Sequence, residues 1–189
     1  LDDGRMPISY ATGVKEVWQL PRGRIKEGWV LHSMGWPHPF VKNDSMGGGW
    51  VYTMDNDQLS VGFVTWLDYR NPYTDPHKMF QLFKTHPTIK ALLKDAELVQ
   101  YGAKTVPVSG YWSVPKLYAD GVMIVGDSAG MCNGMRLKGV HIAIKSGMLA
   151  AETALEALVK KDYGSSTLRG YEEAVHRSWI WKELRKSRN

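Results

Sequence analysis

The sequence predicts an α+β chain: a mainly antiparallel sheet with short helices, followed by a strand and a long helix. Three observations carry that expectation. Short runs rich in Val, Phe, Tyr and Trp, separated by turn residues, occupy the stretch from Gly28 to Trp66. After Asn71-Pro72-Tyr73 the apolar spacing changes to that of helices. Finally, the apolar run Val122-Met123-Ile124-Val125 stands between glycines, ahead of a proline-free stretch rich in Ala, Leu and Met from Gly139 to Lys161.

In chain order, Gly28 to Met34 reads as a short apolar run that ends at Gly35-Trp36-Pro37. Trp50–Met54 and Leu59–Trp66 read as two strands of a β-hairpin, because Asp55-Asn56-Asp57-Gln58 between them supplies turn residues. Gly47-Gly48-Gly49, just before, permits close backbone approach. Pro76 to Lys84 places Met79, Phe80 and Phe83 on one helical face, and Pro87 opens a second short helix to Lys94. Leu98 to Val106 reads as a strand, and Val122 to Val125 as a short strand buried on both faces. Along the long helix, Ala143, Gly147, Ala150, Ala151 and Ala154 form a small-residue stripe suited to close packing. Ser165, Ser166 or Thr167 is expected to cap one final helix, Leu168 to Lys186.

Composition bounds the function. With 189 residues, 43% hydrophobic and 23% charged, the chain is globular, of one domain or somewhat more. A single cysteine, Cys132, excludes an internal disulfide, a Cys-based zinc site and an all-cysteine iron–sulfur centre within these residues. The six histidines (His32, His38, His77, His86, His141, His176) show no H-x-x-x-H spacing, so no metal site is expected. Val140 to Val159 is broken by Lys145, Glu152 and Glu156, so no bilayer-spanning helix is expected. The chain begins at Leu1 without an apolar leader and is read as cut from a longer protein. Of the net charge of +5, +4 falls between Val159 and Asn189, where eight Lys/Arg meet four Asp/Glu. That tail lacks the aromatic interleaving of a nucleic-acid platform, so no nucleic-acid partner is expected.

The segment from Val122 to Gly130 carries the most chemistry. A strand ending in Gly126-Asp127 sets a carboxylate at a strand's C-terminal edge, where open α/β sheets bind ligands. Gly126 leaves room for a flat cofactor, and Asp127 can accept a hydrogen bond from a polyol hydroxyl. A helix opening at Gly139-Val140-His141 adds unpaired N–H groups and a positive dipole end, suited to an anionic flavin. The plainer alternative is an ordinary strand–loop–helix crossover with a turn aspartate. Gly126-Asp127-Ser128-Ala129-Gly130 also matches the G-x-S-x-G elbow of hydrolases, with Ser128 as nucleophile. Three features oppose it. Asn133, Gly134 and the basic residues up to Lys138 delay the helix, no His precedes the glycine triplet, and only His141 and His176 follow the serine.

Longer runs, taken in order, are more specific. They are Gly35-Trp36-Pro37, Ser45-Met46-Gly47-Gly48-Gly49-Trp50, Leu67-Asp68-Tyr69-Arg70-Asn71-Pro72-Tyr73, His86-Pro87-Thr88-Ile89-Lys90, Lys138-Gly139-Val140-His141, Lys145-Ser146-Gly147 and Ser178-Trp179-Ile180-Trp181. This series resembles the electron transfer flavoprotein–quinone oxidoreductase family over nearly the whole chain. The resemblance implies a peripheral membrane enzyme whose FAD takes electrons from electron transfer flavoprotein and passes them to membrane quinone, ubiquinone or menaquinone. It implies FAD contacts at Gly126, Asp127, Gly139 and Val140, and a quinone pocket lined by the backbone of Gly47 and Gly48, with Met46 where an aromatic is common. Trp36, Trp50, Trp66 and Tyr73 would then form an apolar wall or membrane rim, or simply a packed aromatic core.

No G-x-G-x-x-G follows an N-terminal strand, so the FAD site within these residues is incomplete. A [4Fe–4S] centre is expected only in the full-length parent. The resemblance divides the chain into 1–27, the end of an FAD-domain segment or linker; 28–121, the quinone-binding sheet; and 122–189, the second part of the FAD domain. Alternatives are a FixC-like or geranylgeranyl-reductase-like flavoprotein and a non-redox module that docks on a membrane or partner.

Overall fold

The computed structural model describes residues 6–37 and 46–188, so His38 and Ser45 lie outside the described residues. The chain divides into two compact units, one of residues 10–106 and one combining residues 1–9 with 107–189.

The first unit is built on a five-stranded sheet: β1 (Tyr10–Gln19), β2 (Val30–Met34), β3 (Gly47–Thr53), β4 (Gln58–Trp66) and β5 (Glu97–Pro107), in spatial order β2-β3-β4-β1-β5. The β2/β3, β3/β4 and β1/β4 pairs are antiparallel. The expected hairpin is β3–β4, and its turn holds Asn56 and Asp57 at φ 59° and 57°, a region that Asn and Asp enter more readily than most residues. The sheet begins earlier than expected. Residues 10–19, placed above in a linker, form an inner strand, and the unit ends at 106 rather than 121. Ala11 and Val17 are buried on one face of β1 and Val14 on the other, so no alternation marks this strand in the sequence.

Register sorts the sheet into two faces. Val14 pairs with Phe63, Val61 with Val51, and Leu59 with Thr53, which places Phe63, Val61 and Leu59 on one face. Onto this core pack Met79, Phe80 and Phe83 of α1 (Pro76–Lys84) and Ile89 of α2 (Pro87–Leu92). Asp75 caps α1, its Oδ1 accepting from the backbone N–H groups of His77 and Lys78 at 2.8 and 3.2 Å. At the other end of α1, the Lys84 ammonium donates to both carboxylate oxygens of buried Glu16 at 2.8 and 2.7 Å. Trp18 Nε1 donates to the same carboxylate at 2.9 Å, so this inward-facing charge is fully engaged.

The second unit contains a two-strand ribbon, β6 (Tyr118–Ala119) with β7 (Val122–Met123), and three helices: α3 (Val140–Lys160), α4 (Ser165–Arg177) and α5 (Trp179–Lys186). Its core gathers Leu117, Met131, Ile142, Tyr171, Ile180 and Leu184. Three expectations are corrected here. The run Val122 to Val125 is a two-residue strand with Val122 and Val125 at 47% and 38% exposure, because β6 is its only strand partner among the described residues. On α3 the buried face is Ile142, Ser146, Leu149, Ala150, Thr153 and Ala157, whereas a side chain on Gly147 would meet nothing within 4 Å, so most of the small-residue stripe is not the packed face. The final helix is two helices. Ser178 takes an extended conformation (ψ 172°) and caps α5 by accepting from Ile180 N–H.

The start of α4 differs as well. Its N-cap is Gly164, without a side-chain cap bond. Asp162 and Asp120 hold this corner instead: Asp162 accepts from Gly164 N–H and the Thr167 hydroxyl, and Asp120 from Ser165 N–H. These donors, the Ser165 hydroxyl first for Asp120 and the Thr167 hydroxyl first for Asp162, draw both carboxyls below their ordinary range.

Candidate functional site

The turn after β7 is tied down from beneath. Gly126 to Ala129 make one 3-10 turn that closes at Gly130, with φ 56° at Gly126 and 67° at Gly130, positions that favour glycine. A Cβ on Gly126 would lie 3.0 Å from Ala143 Cβ, so glycine lets the turn cross α3 closely. Gly126 N–H donates to buried Ser146 Oγ at 3.0 Å, and Ser146 donates onward to Ala143 O at 2.9 Å. The buried Tyr171 hydroxyl donates to Ile124 O at 3.1 Å, and desolvation pushes its phenol up to about 12. Ser146 and Tyr171 received no role from the sequence. Only their contacts in the folded chain single them out, because a Ser and a Tyr on helices carry no positional signal of their own.

Above this support Asp127 is exposed beside the opening of α3. A Cβ on Gly139 would sit 2.8 Å from Asp127 Oδ1, so the glycine leaves the space that the carboxylate occupies. Gly139 is the N-cap of α3 and provides no side-chain cap, which leaves the first N–H groups of the helix without a side-chain partner. Val140, the first residue of α3, is 75% exposed. The fold therefore brings Gly126, Asp127, Gly139 and Val140 together around one helix opening. Cys132 lies beside it, its thiol pushed up mainly by burial and also by the Asp127 charge.

The loop that leads to this opening is held by Asn133. Its Nδ2 donates to Glu183 Oε1 at 2.7 Å, and its Oδ1 accepts from Arg136 N–H at 3.2 Å. His141 Nε2 lies 2.9 Å from the same Glu183 oxygen, and its ring stacks on Trp179 at 5.5 Å. The Asn133 hydrogen bond first, and then His141, hold the Glu183 carboxyl below its ordinary range. His141 is thus engaged with α5. The hydrolase elbow is not formed: exposed Ser128 sits inside the 3-10 turn, and α3 does not begin until Val140.

In the sheet unit, part of the glycine triplet answers to packing. A Cβ on Gly49 would fall 2.3 Å from the Phe83 ring, and one on Gly48 would fall 2.3 Å from Ser33 O. Gly47 and Gly48 pair with Thr65 and Val64 of β4. Of the four aromatics, Trp36 packs against the core and donates its Nε1 to Leu82 O, and Trp66 is half-buried. Tyr73 is 90% exposed, and Trp50 lies flat over Gly62, where a Cβ would meet its ring at 2.1 Å. On the sheet face away from Phe63 there is a groove of about 440 Å³ lined by Gly13, Val17, Trp50, Val64, Gly102 and Val106, among others. Among the described residues, no helix is long and apolar enough to cross a membrane.

Comparison with known proteins places this geometry. The family model described as "ETF-QO, ubiquinone-binding" matches residues 10–106, the same residues as the sheet unit. The mitochondrial electron transfer flavoprotein-ubiquinone oxidoreductase of Oryza sativa subsp. japonica is 41% identical over 181 residues, covering 96% of this chain and 30% of that protein. The Pseudomonas aeruginosa electron transfer flavoprotein-ubiquinone oxidoreductase is 38% identical over 180 residues, covering 95% and 32%. The chain spans about a third of the length of these curated relatives. Among solved structures, a geranylgeranyl bacteriochlorophyll reductase-like protein from Thermoplasma acidophilum superposes with a TM-score of 0.68 at 20% identity, over 95% of this chain and 44% of that one. A flavin-dependent brominase triple mutant gives 0.59 at 18%, over 89% and 41%. These two likenesses show a shared fold. The match over the entire sheet unit shows more: this chain belongs to the electron transfer flavoprotein–ubiquinone oxidoreductase family, through its ubiquinone-binding region.

Proposed function

We propose that these residues are the quinone-binding region and the second FAD-contacting segment of a peripheral membrane flavoenzyme that passes electrons from electron transfer flavoprotein to ubiquinone or a related quinone. The observation that carries this reading is the coincidence of the ubiquinone-binding family match with one compact unit, residues 10–106. Quinone binding is assigned to that unit, with the backbone of Gly47 and Gly48 at the ring.

FAD is assigned to the helix opening of the other unit, and the residues there suit it. Asp127 offers an exposed carboxylate to a ribityl hydroxyl. The open N-terminus of α3 at Gly139 and Val140 offers N–H donors and a positive dipole end to the electron-rich edge of the flavin. Bound there, FAD would supply the electrons that the quinone receives. Ser146 and Tyr171 hold the Asp127 turn in place from beneath. The exposed apolar stripe of α3, including Val140, Ile144, Met148, Leu155 and Leu158, is assigned to contact with the remainder of the FAD fold. An iron–sulfur centre would need thiolates from outside these 189 residues, which contain Cys132 alone.

The reductase-like reading rests on a fold likeness at 20% identity, whereas relatives at 38% and 41% identity carry the quinone reading. The test is electron transfer by the complete protein that contains these residues. It is expected to purify with FAD and to reduce a soluble ubiquinone analogue when supplied with reduced electron transfer flavoprotein. A complete protein that binds vesicles yet carries no flavin and reduces no quinone would replace this reading with a non-redox docking module.

A further inference from the structure

We infer that Glu183 is a positioning residue for the flavin: from α5 it fixes the Gly139-Val140 opening by holding the chain on both sides of it. The inference rests on the proposed FAD reading and deepens it, from the residues that meet the flavin to the one that sets their place. Gly139 and Val140 have little means to hold themselves. Gly139 has no side chain, α3 has no side-chain cap, and Val140 is 75% exposed. The opening is therefore held from its flanks.

Both flanks lead to one oxygen. On the N-terminal side, Asn133 and Lys138 form an isolated antiparallel bridge, with Asn133 N–H donating to Lys138 O at 3.0 Å and Lys138 N–H to Asn133 O at 3.2 Å. That bridge ends at the residue directly before Gly139. Asn133 is 3% exposed, and its Nδ2 donates to Glu183 Oε1 at 2.7 Å. On the C-terminal side, directly after Val140, His141 Nε2 lies 2.9 Å from the same oxygen. An ionised carboxylate only accepts, so Nε2 carries the proton in this bond. α5 is a firm mount for the carboxylate. Ile180 and Leu184 anchor it in the core, and Ser178 caps its first turn. Trp179, four residues before Glu183 and so on the same helical face, stacks on the His141 ring with 3° between the planes. Two donors from two segments on one oxygen are more than charge pairing requires. They tie residues 138 and 141 to a single point and leave the pair between them set in place.

The test uses the complete protein that contains these residues, with FAD affinity, flavin midpoint potential and amide hydrogen exchange as readouts. Glu183→Ala removes both bonds, whereas Glu183→Gln keeps an oxygen able to accept both. The alanine variant is expected to raise the FAD dissociation constant by about tenfold, the scale of one lost hydrogen bond. It is also expected to lower the flavin potential, because a loosened helix opening stabilises the electron-rich reduced form less. Protection should fall at the amides of Lys138 and Ala143, which bond to Asn133 O and Gly139 O. Glutamine should restore each of these. Val175→Ala, in the buried core on α4, is the control for general destabilisation. If Glu183→Ala does not fold, His141→Phe decides instead: it keeps a ring on Trp179, drops one bond, and should lower the potential by less. An unchanged potential in that variant overturns the role. An alanine variant that weakens FAD no more than Val175→Ala and leaves the potential unmoved makes Glu183 a structural residue only, while the FAD reading stands. Glutamine that behaves like alanine would trace the effect to charge and overturn the positioning role. An unaltered complete protein that carries no FAD ends the FAD reading, and the positioning role falls with it.

Discussion

The two units solve burial differently. The sheet unit closes its core within itself: Phe63, Phe80 and Phe83 are at most 2% exposed, and α1 and α2 pack over the central strands on one face. The other unit buries an equally apolar set around Tyr171 and Ile142, yet leaves Val140, Ile144, Met148, Leu155 and Leu158 of α3 more than half exposed. Spacings of four residues and near-multiples of the helical turn put those five side chains on a single face. The lesson is that the sheet unit gathers its aromatic core beneath α1 and α2, with its exposed apolar residues scattered over several strands, whereas α3 aligns its exposed apolar residues along one face. A stripe of that kind marks a surface made to be covered.

Phe80→Ala should have the largest effect in the sheet unit, about 3–5 kcal/mol in chemical denaturation, because the ring is fully buried against β4. Hydrogen exchange should then show lost protection in β1 and β4. A loss below about 1 kcal/mol would mean that the core of this unit is not the closed one described. Next comes Glu16→Ala, at about 3 kcal/mol, since it strands the Lys84 ammonium beside an apolar core. Replacing both partners together, Glu16→Leu with Lys84→Met, should recover most of that loss, and an unrecovered double variant would show that the pair does more than neutralise itself.

In the other unit the effects are smaller and more local. Ser146→Ala leaves Gly126 N–H buried without its acceptor and should cost about 1–2 kcal/mol. It should also raise the dissociation constant for FAD in the complete protein by more than a distant substitution of equal thermal cost. Unchanged flavin affinity would reduce Ser146 to a packing residue. The smallest effect is alkaline. Tyr171 has its phenol raised from the usual value near 10 to about 12, so the unfolded chain loses that proton first as pH rises. The contribution is intact below pH 10 and disappears between about pH 10 and 12, and Tyr171→Phe should abolish this part of the alkaline loss. A wild-type phenol that titrates near 10 would contradict its burial.

The same contrast decides how much was legible in advance. The β3–β4 hairpin and α1 were readable because turn chemistry at Asn56-Asp57 and the Met79/Phe80/Phe83 face are local signals. β1 was not, since an inner strand buried on both faces and carrying Glu16 shows no alternation. The break at Ser178 was hidden because Ser is compatible with both a helix interior and a cap, and tertiary packing of Ile180 and Leu184 selects the cap. Of the candidate sites, Gly126, Asp127, Gly139 and Val140 were named from a family-like motif; the structure sets them around one helix opening, and their contact with a cofactor is the proposal made above. Gly48 and Gly49 carried a second meaning that no sequence pattern displays, the close approach of Ser33 O and of the Phe83 ring. Gly13 and Gly102 stood apart in the chain and joined one groove only through strand pairing.

The central claim is that residues 10–106 bind quinone. Titrating the unaltered, isotope-labelled chain with a soluble ubiquinone analogue, and following backbone amide shifts, tests it most directly. The expected result is saturable shifts confined to the sheet unit, strongest at Gly47 and Gly48. Saturable shifts centred on residues 107–188, or none at ligand concentrations that saturate quinone enzymes, would contradict it.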